Sequence, residues 1–133
     1  MVDLVVACDG ASRGNPGPAA VGVAFSDSTG TEVRALSRRI GFATNNQAEF
    51  LALIAGLEEA QRLGARRIEV RLDSELVVRQ VVGRYRVRHP GLRPLFEQAR
   101  QLLSSFEEAS VRQVPRERNR RADALANAAL DGP

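Results

Sequence analysis

Lysine is absent from this 133-residue chain; all 19 basic residues are arginine. Cysteine and histidine occur once each, as Cys8 and His89. A single thiol excludes an internal disulfide framework and suits a reducing cytoplasm. Cys8 adjoins Asp9, which invites a reactive reading, but a small buried hydrophobe on a central strand fits it better. No apolar run has the length of a membrane span or a secretory segment, and there is no repeat or low-complexity tract. His89 precedes Pro90 in a basic stretch and reads as a plain loop residue.

The remaining composition is that of a globular enzyme-sized unit. At 133 residues the chain is expected to form a single domain with a real core. Hydrophobic residues make up 44% and charged residues 26%, the ordinary balance for such a domain. Arginine offers a planar fork that suits phosphate, although a proteome-wide bias with a thermostability component explains the loss of lysine more simply. Net charge is only +3. The arginines concentrate in Arg84-Tyr85-Arg86-Val87-Arg88 with Arg93, and again between Arg116 and Arg121. Local basic patches beside a cluster of acids fit an enzyme acting on a polyanion.

Periodicity predicts the elements. Residues 2–9 read as a strand covered on both faces. The Gly/Pro-rich stretch from Gly10 to Pro18 reads as a tight loop. Strands follow at about 19–26 and 31–40, completing an antiparallel meander. Phe50, Leu53, Ile54, Leu57, Ala60 and Leu63 recur at helical spacing and predict a helix over about 46–63. A strand at 67–72, a short helix capped by Ser74 and reaching about 82, and a basic connector from Gly83 to Pro90 come next. A helix over about 91–106 should turn Leu92, Leu95, Phe96, Ala99, Leu102, Leu103 and Phe106 inward. A strand at 109–114, broken by Pro115, and a helix at about 119–130 complete the chain. This order predicts an α/β fold, a mixed sheet with helices on both faces.

Four carboxylates stand where apolar elements begin, end or turn inward: Asp9, Glu49, Asp73 and Asp123. A carboxylate beside a core segment is costly unless a cation or hydrogen bonds compensate it. Two unit charges about 4 Å apart repel by roughly 4 kcal/mol at an effective dielectric near 20. Four such residues in separate elements point to a cluster that holds hard divalent cations through oxygen. Each also has a plainer reading. Asp9 can open a turn, Glu49 can be solvated at the edge of its helix, Asp73 can end a strand, and Asp123 can pair with Arg116 or Arg120.

The stretches Asp9-Gly10-Ala11-Ser12-Arg13-Gly14-Asn15-Pro16-Gly17-Pro18, Thr44-Asn45-Asn46-Gln47-Ala48-Glu49, Asp73-Ser74 and Arg121-Ala122-Asp123-Ala124-Leu125-Ala126 together resemble the type 1 ribonuclease H family. The resemblance spans nearly the whole chain and matches the element order. It implies a ribonuclease H-like fold: a five-stranded mixed sheet, three antiparallel strands then two parallel. It also implies that Asp9, Glu49, Asp73 and Asp123 bind two magnesium or manganese ions. The implied activity is cleavage of the RNA strand of RNA–DNA hybrids, leaving a 5′-phosphate and a 3′-hydroxyl. In this assignment Asp9 bridges the ions, Glu49 and Asp73 complete the first site, and Asp123 serves the second. Asn15, Thr44, Asn45 and Asn46 match positions that touch the hybrid. An amide can donate and accept at once, as a 2′-hydroxyl requires, while asparagine is also an ordinary turn former and cap.

Three departures from the family pattern stand out. The loop before Asp123, Val114-Pro115-Arg116-Glu117-Arg118-Asn119, lacks the histidine of many bacterial relatives, and Arg118 is a candidate for the scissile phosphate. The long basic protrusion of some relatives is absent, which leaves the Arg84–Arg93 segment as the candidate for the DNA strand. Glu75 stands where relatives carry glutamine, so no role toward the hybrid is assigned to it. The expectation is a monomeric, cytoplasmic enzyme without membrane association. Cleavage of double-stranded RNA as well, or hybrid binding without catalysis, are the alternatives.

Overall fold

Alternating apolar residues build one five-stranded sheet in the computed structural model, which describes residues 2–132. The strands are β1 (Leu4–Ser12), β2 (Gly17–Ser26), β3 (Glu32–Ala43), β4 (Arg67–Leu72) and β5 (Glu108–Gln113). They lie in the order β3-β2-β1-β4-β5. β1, β2 and β3 pair antiparallel, whereas β4 pairs parallel with β1 and β5 parallel with β4. The helices are α1 (Asn45–Arg62), α2 (Glu75–Val81), α3 (Arg93–Ser104) and α4 (Arg120–Asp131). This is the mixed sheet with helices on both faces that the sequence predicts.

The first strand is longer than expected. Gly10, Ala11 and Ser12 stay in the ladder opposite Val21, Ala20 and Ala19. Glycine and alanine are poor strand formers, but here small residues face small residues across the pair and the hairpin holds them. The predicted loop over residues 10–18 therefore contracts to the turn closed by Arg13 N–H donating to the Pro18 carbonyl at 2.8 Å. β3 likewise runs on to Ala43, with a register shift opposite Ala19 and Ala20. α3 is shorter than its periodicity suggests. Leu92 and Phe106 are buried just outside its ends, Ala99 is buried within it, and Leu95, Phe96, Leu102 and Leu103 pack partly buried against the core.

The start of α1 is fixed locally. The Thr44 hydroxyl accepts from Gln47 N–H at 3.1 Å, and the Gln47 side chain accepts from Thr44 N–H at 2.9 Å, a reciprocal capping box. α1 lies against β1 and β2, and α4 lies against β1, β2 and β3. Phe25, Phe50, Leu53, Leu57, Ile68 and Leu72 are fully buried, each contributing roughly 1.5–3 kcal/mol. That apolar layer offsets the repulsion of like charges gathered at one end of the sheet. Among the described residues no helix is long and apolar enough to cross a membrane.

Candidate metal centre and nucleic-acid cleft

Three of the four singled-out acids converge where the pairing of β1 with β4 ends. Asp9, Glu49 and Asp73 each offer a carboxylate oxygen within 4.8 Å of the others. Asp123 lines the same cleft, of about 580 Å³, together with Asn45, Asn46, Arg116 and Asn127. Asp9 and Glu49 are buried, at 6% and 7% exposure. Asp73 and Asp123 are half-buried.

Two glycines make this approach possible. A Cβ on Gly10 would overlap the Ala48 carbonyl of α1. Its absence lets the helix come close enough for Gly10 N–H to donate to Glu49 Oε1 at 2.6 Å. Gly22 stands opposite Asp9 on β2, and a Cβ there would overlap the Ala122 carbonyl of α4. That close crossing brings α4, and with it Asp123, over β1 beside Asp9.

Hydrogen bonds aim the remaining acids. Asn119 Nδ2 donates to the Cys8 carbonyl at 2.8 Å and to Asp73 Oδ2 at 3.3 Å. Asn127, one turn beyond Asp123 on α4, donates to its carbonyl at 3.0 Å and to its Oδ1 at 3.2 Å. Glu49 Oε2 is buried and has no hydrogen-bond partner among the described residues. Burial pushes the Asp9 carboxyl well above the usual carboxylate range, and the negative charges of Glu49 and Asp73 add to the shift. Glu49 is also raised, chiefly by burial, against the opposing pull of the adjoining Asp9 carboxyl and the Gly10 N–H. Such a cluster, all oxygen and short of compensating charge, fits hard divalent cations of the magnesium and manganese type.

The other residues expected to touch the hybrid fall in different places. Asn45 and Asn46 line the cleft. Asn15 sits in the β1–β2 turn, where its Oδ1 accepts from Asn45 N–H at 3.0 Å. The Thr44 hydroxyl is engaged in the capping box. Arg118 is exposed in the 3-10 turn over Arg116–Arg118 and does not line the cleft, whereas Arg116 does. Glu75 is ion-paired with Arg79 at 3.0 Å. His89 is exposed at the surface, and its Nδ1 accepts from Gly91 N–H at 2.9 Å.

Sequence reasoning missed Asn127, Arg116 and the inward turn of Asn119. The i,i+4 spacing of Asp123 and Asn127 on one helix was a usable signal. Nothing in the spacing distinguishes Arg116 from Arg118, because the 3-10 turn decides which of them faces the acids.

The description "Reverse transcriptase-like" belongs to the family model that matches residues 7–129. The chain is 53% identical over 123 residues to "Ribonuclease HI" of Halobacterium salinarum, covering 92% of this chain and 62% of that protein. A crystal structure of RNase H1 from the same archaeon superposes with a TM-score of 0.95 at 51% identity, covering 96% of this chain and 97% of that one. "Bifunctional protein Rv2228c" of Mycobacterium tuberculosis is 49% identical over 129 residues, 96% of this chain but 35% of that protein. The chain thus spans about a third of the length of its mycobacterial relatives. LC11-RNase H1, crystallised in complex with RNA/DNA hybrid, aligns with a TM-score of 0.91 at 41% identity, covering 96% of each chain. Together with the sheet order and the acid cluster, these likenesses mean that the chain belongs to the type 1 ribonuclease H family.

Proposed function

We propose that this chain is a metal-dependent endoribonuclease that hydrolyses the RNA strand of RNA–DNA hybrids and leaves a 5′-phosphate and a 3′-hydroxyl. The observation that carries this reading is the set of three carboxylate oxygens within 4.8 Å, one side chain of which has a buried oxygen with no partner. Residues 1–133 act as one ribonuclease H-like domain in this proposal. The relatives support the substrate: one is named Ribonuclease HI and another is bound to RNA/DNA hybrid. A buried free thiol agrees with work in a reducing cytoplasm.

Asp9, Glu49, Asp73 and Asp123 would hold the ions, Asp9 contributing to both and Asp123 to the second. When bound, two Mg²⁺ or Mn²⁺ ions supply an activated water and charge stabilisation for the leaving oxygen. The chain itself provides alignment. Gly10 N–H fixes Glu49, and Asn127 fixes Asp123. Asn45 and Asn46 present amides at the cleft, able to donate to and accept from a 2′-hydroxyl. Asn15 holds the first backbone N–H of α1, and Thr44 sets where that helix begins. The phosphate-binding role expected of Arg118 is better placed on Arg116, which lines the cleft. Recognition through backbone and groove makes cutting independent of base sequence. The domain acts as a monomer.

The test is cleavage of end-labelled RNA–DNA hybrid, double-stranded RNA and double-stranded DNA in magnesium, manganese or chelator. The expected result is scission of the RNA strand of the hybrid, abolished by chelator. Cleavage that survives chelation, or that falls on DNA alone, overturns the proposal. Cutting of double-stranded RNA alongside the hybrid widens the substrate class to A-form duplexes.

A further inference from the structure

We propose that Asn119 is a positioning residue for the metal centre, acting through Asp73. The proposal rests on the metal-dependent function given above and deepens it.

The ordinary reason for an asparagine immediately before a helix is capping, in which its side-chain oxygen accepts from a backbone N–H of the first turn. Asn119 occupies that place before α4 and makes no such bond. Its side chain turns inward instead and is 2% exposed. The amide oxygen is buried without a partner among the described residues, an unfavourable state for an acceptor. Everything useful this side chain does is therefore done by its two N–H groups.

Both go to the metal centre's frame. The pairing of β1 with β4 reaches Ala7 opposite Arg71, and beyond it the two strands part. Asn119 stands in that fork. One N–H holds the Cys8 carbonyl, the peptide that carries Asp9, and the other holds Asp73 Oδ2. Carbonyl and carboxylate oxygens are both pure acceptors, so the orientation of the amide is fixed by chemistry. The carboxylate of Asp73 is only half-buried and would otherwise rotate into solvent. Held by Asn119, it keeps one oxygen engaged by the protein while the group stays within reach of Asp9 and Glu49. Residues that orient ligands in this way set metal affinity as well as geometry.

Binding of Mn²⁺ to the full chain, measured by titration calorimetry without nucleic acid, tests this. Asn119→Ala, shown to be folded by circular dichroism, is expected to bind Mn²⁺ roughly 10–100-fold more weakly than the unaltered chain. In hybrid cleavage its half-maximal metal concentration should rise in parallel while the KM for hybrid stays unchanged. Mn²⁺ affinity within twofold of the unaltered chain would mean that Asn119 only braces the fold, and the proposal fails. Should Asn119→Ala not fold, the unaltered chain still answers. Its Asn119 side-chain amide resonances should shift with added Mg²⁺ and saturate with the binding isotherm, and an unmoved signal refutes the idea. Because calorimetry reads the ion alone, a chain that binds Mn²⁺ yet cuts no hybrid overturns the proposed function without touching this inference.

Discussion

The carboxylate cleft and the arginine connector between α2 and α3 are both charged surfaces, yet they are built in opposite ways. In the cleft, Asp9 and Glu49 are buried and grow from core elements, and backbone or amide donors fix Glu49, Asp73 and Asp123. In the connector, Arg84, Arg86 and Arg88 lie on an irregular segment at the surface. Its main anchors are local: Arg84 and Tyr85 N–H donate to the Arg79 carbonyl at 2.8 and 3.1 Å, and the Arg79 guanidinium lies 5.4 Å from the Tyr85 ring centroid. Like charges held rigidly need a counter-ion, whereas arginines at the surface are solvated singly. On the proposed function the contrast separates chemistry from capture: the cleft would place reacting groups, and the connector would offer long-range attraction to a polyanion.

The sharpest break between the two regions is expected at Asp9. Even a residue behind a metal ligand costs roughly 10–100-fold when removed, so removing a ligand oxygen should cost more. Asp9→Asn should lower steady-state hybrid cleavage by more than about 100-fold while hybrid affinity, measured in chelator, persists. Turnover within tenfold of the unaltered chain would dissolve the distinction between chemistry and capture.

Metal and pH probe the same contrast through stability. The raised carboxyls of Asp9 and Glu49 keep protons that the unfolded chain has already released. In chelator, their contribution therefore becomes unfavourable as pH climbs above the ordinary carboxylate value of about 4, and worsens until their raised values are passed. Bound Mg²⁺ takes the place of those protons. At a concentration 100 times its Kd it should add about 2.7 kcal/mol, and this increment should grow from pH 5 to pH 8. Urea unfolding with and without Mg²⁺ at both pH values measures it. An increment that shrinks as pH rises would show that these acids are not the ligands.

Glycines offer a third comparison. Gly22→Ala drives a methyl into the α4 backbone and should destabilise the fold by roughly 1–3 kcal/mol, with activity falling as Asp123 is displaced. Gly83 opens the connector at φ 88°, and a Cβ there would meet nothing. Gly83→Ala should cost about 1 kcal/mol of backbone strain and leave turnover intact. Thermal unfolding paired with kcat separates the two.

These glycines also show where sequence reading stops. The four acids were legible because each breaks an apolar element, a pattern that needs no third dimension. The meander and the helix order were legible from period, and the parallel pair from the family resemblance. Gly22 was not: within Val21-Gly22-Val23 it looks like a weak point in a strand, and only the crossing of α4 gives it a purpose. Sequence alone makes β1 too short because Gly10 and Ala11 have poor strand propensity, which the partner strand overrides. The inward turn of Asn119 was not legible, because the direction its side chain takes depends on a fork between strands that are far apart in sequence.

The smallest expected effect lies in the connector. Replacing Arg84, Arg86 and Arg88 singly with Gln should leave kcat at saturating hybrid unchanged, because none of them lines the cleft. Removing one arginine–phosphate pair should reduce the slope of log affinity against log salt by about 0.9, read from hybrid binding titrations in chelator at several salt concentrations. Surface arginines on an irregular segment are ordinarily worth little in stability, so unfolding should not register the changes. An unaltered salt slope in all three variants would make the segment a solvated loop and pass the capture of the DNA strand to arginines elsewhere. A changed kcat would mean that the connector reaches the chemistry after all.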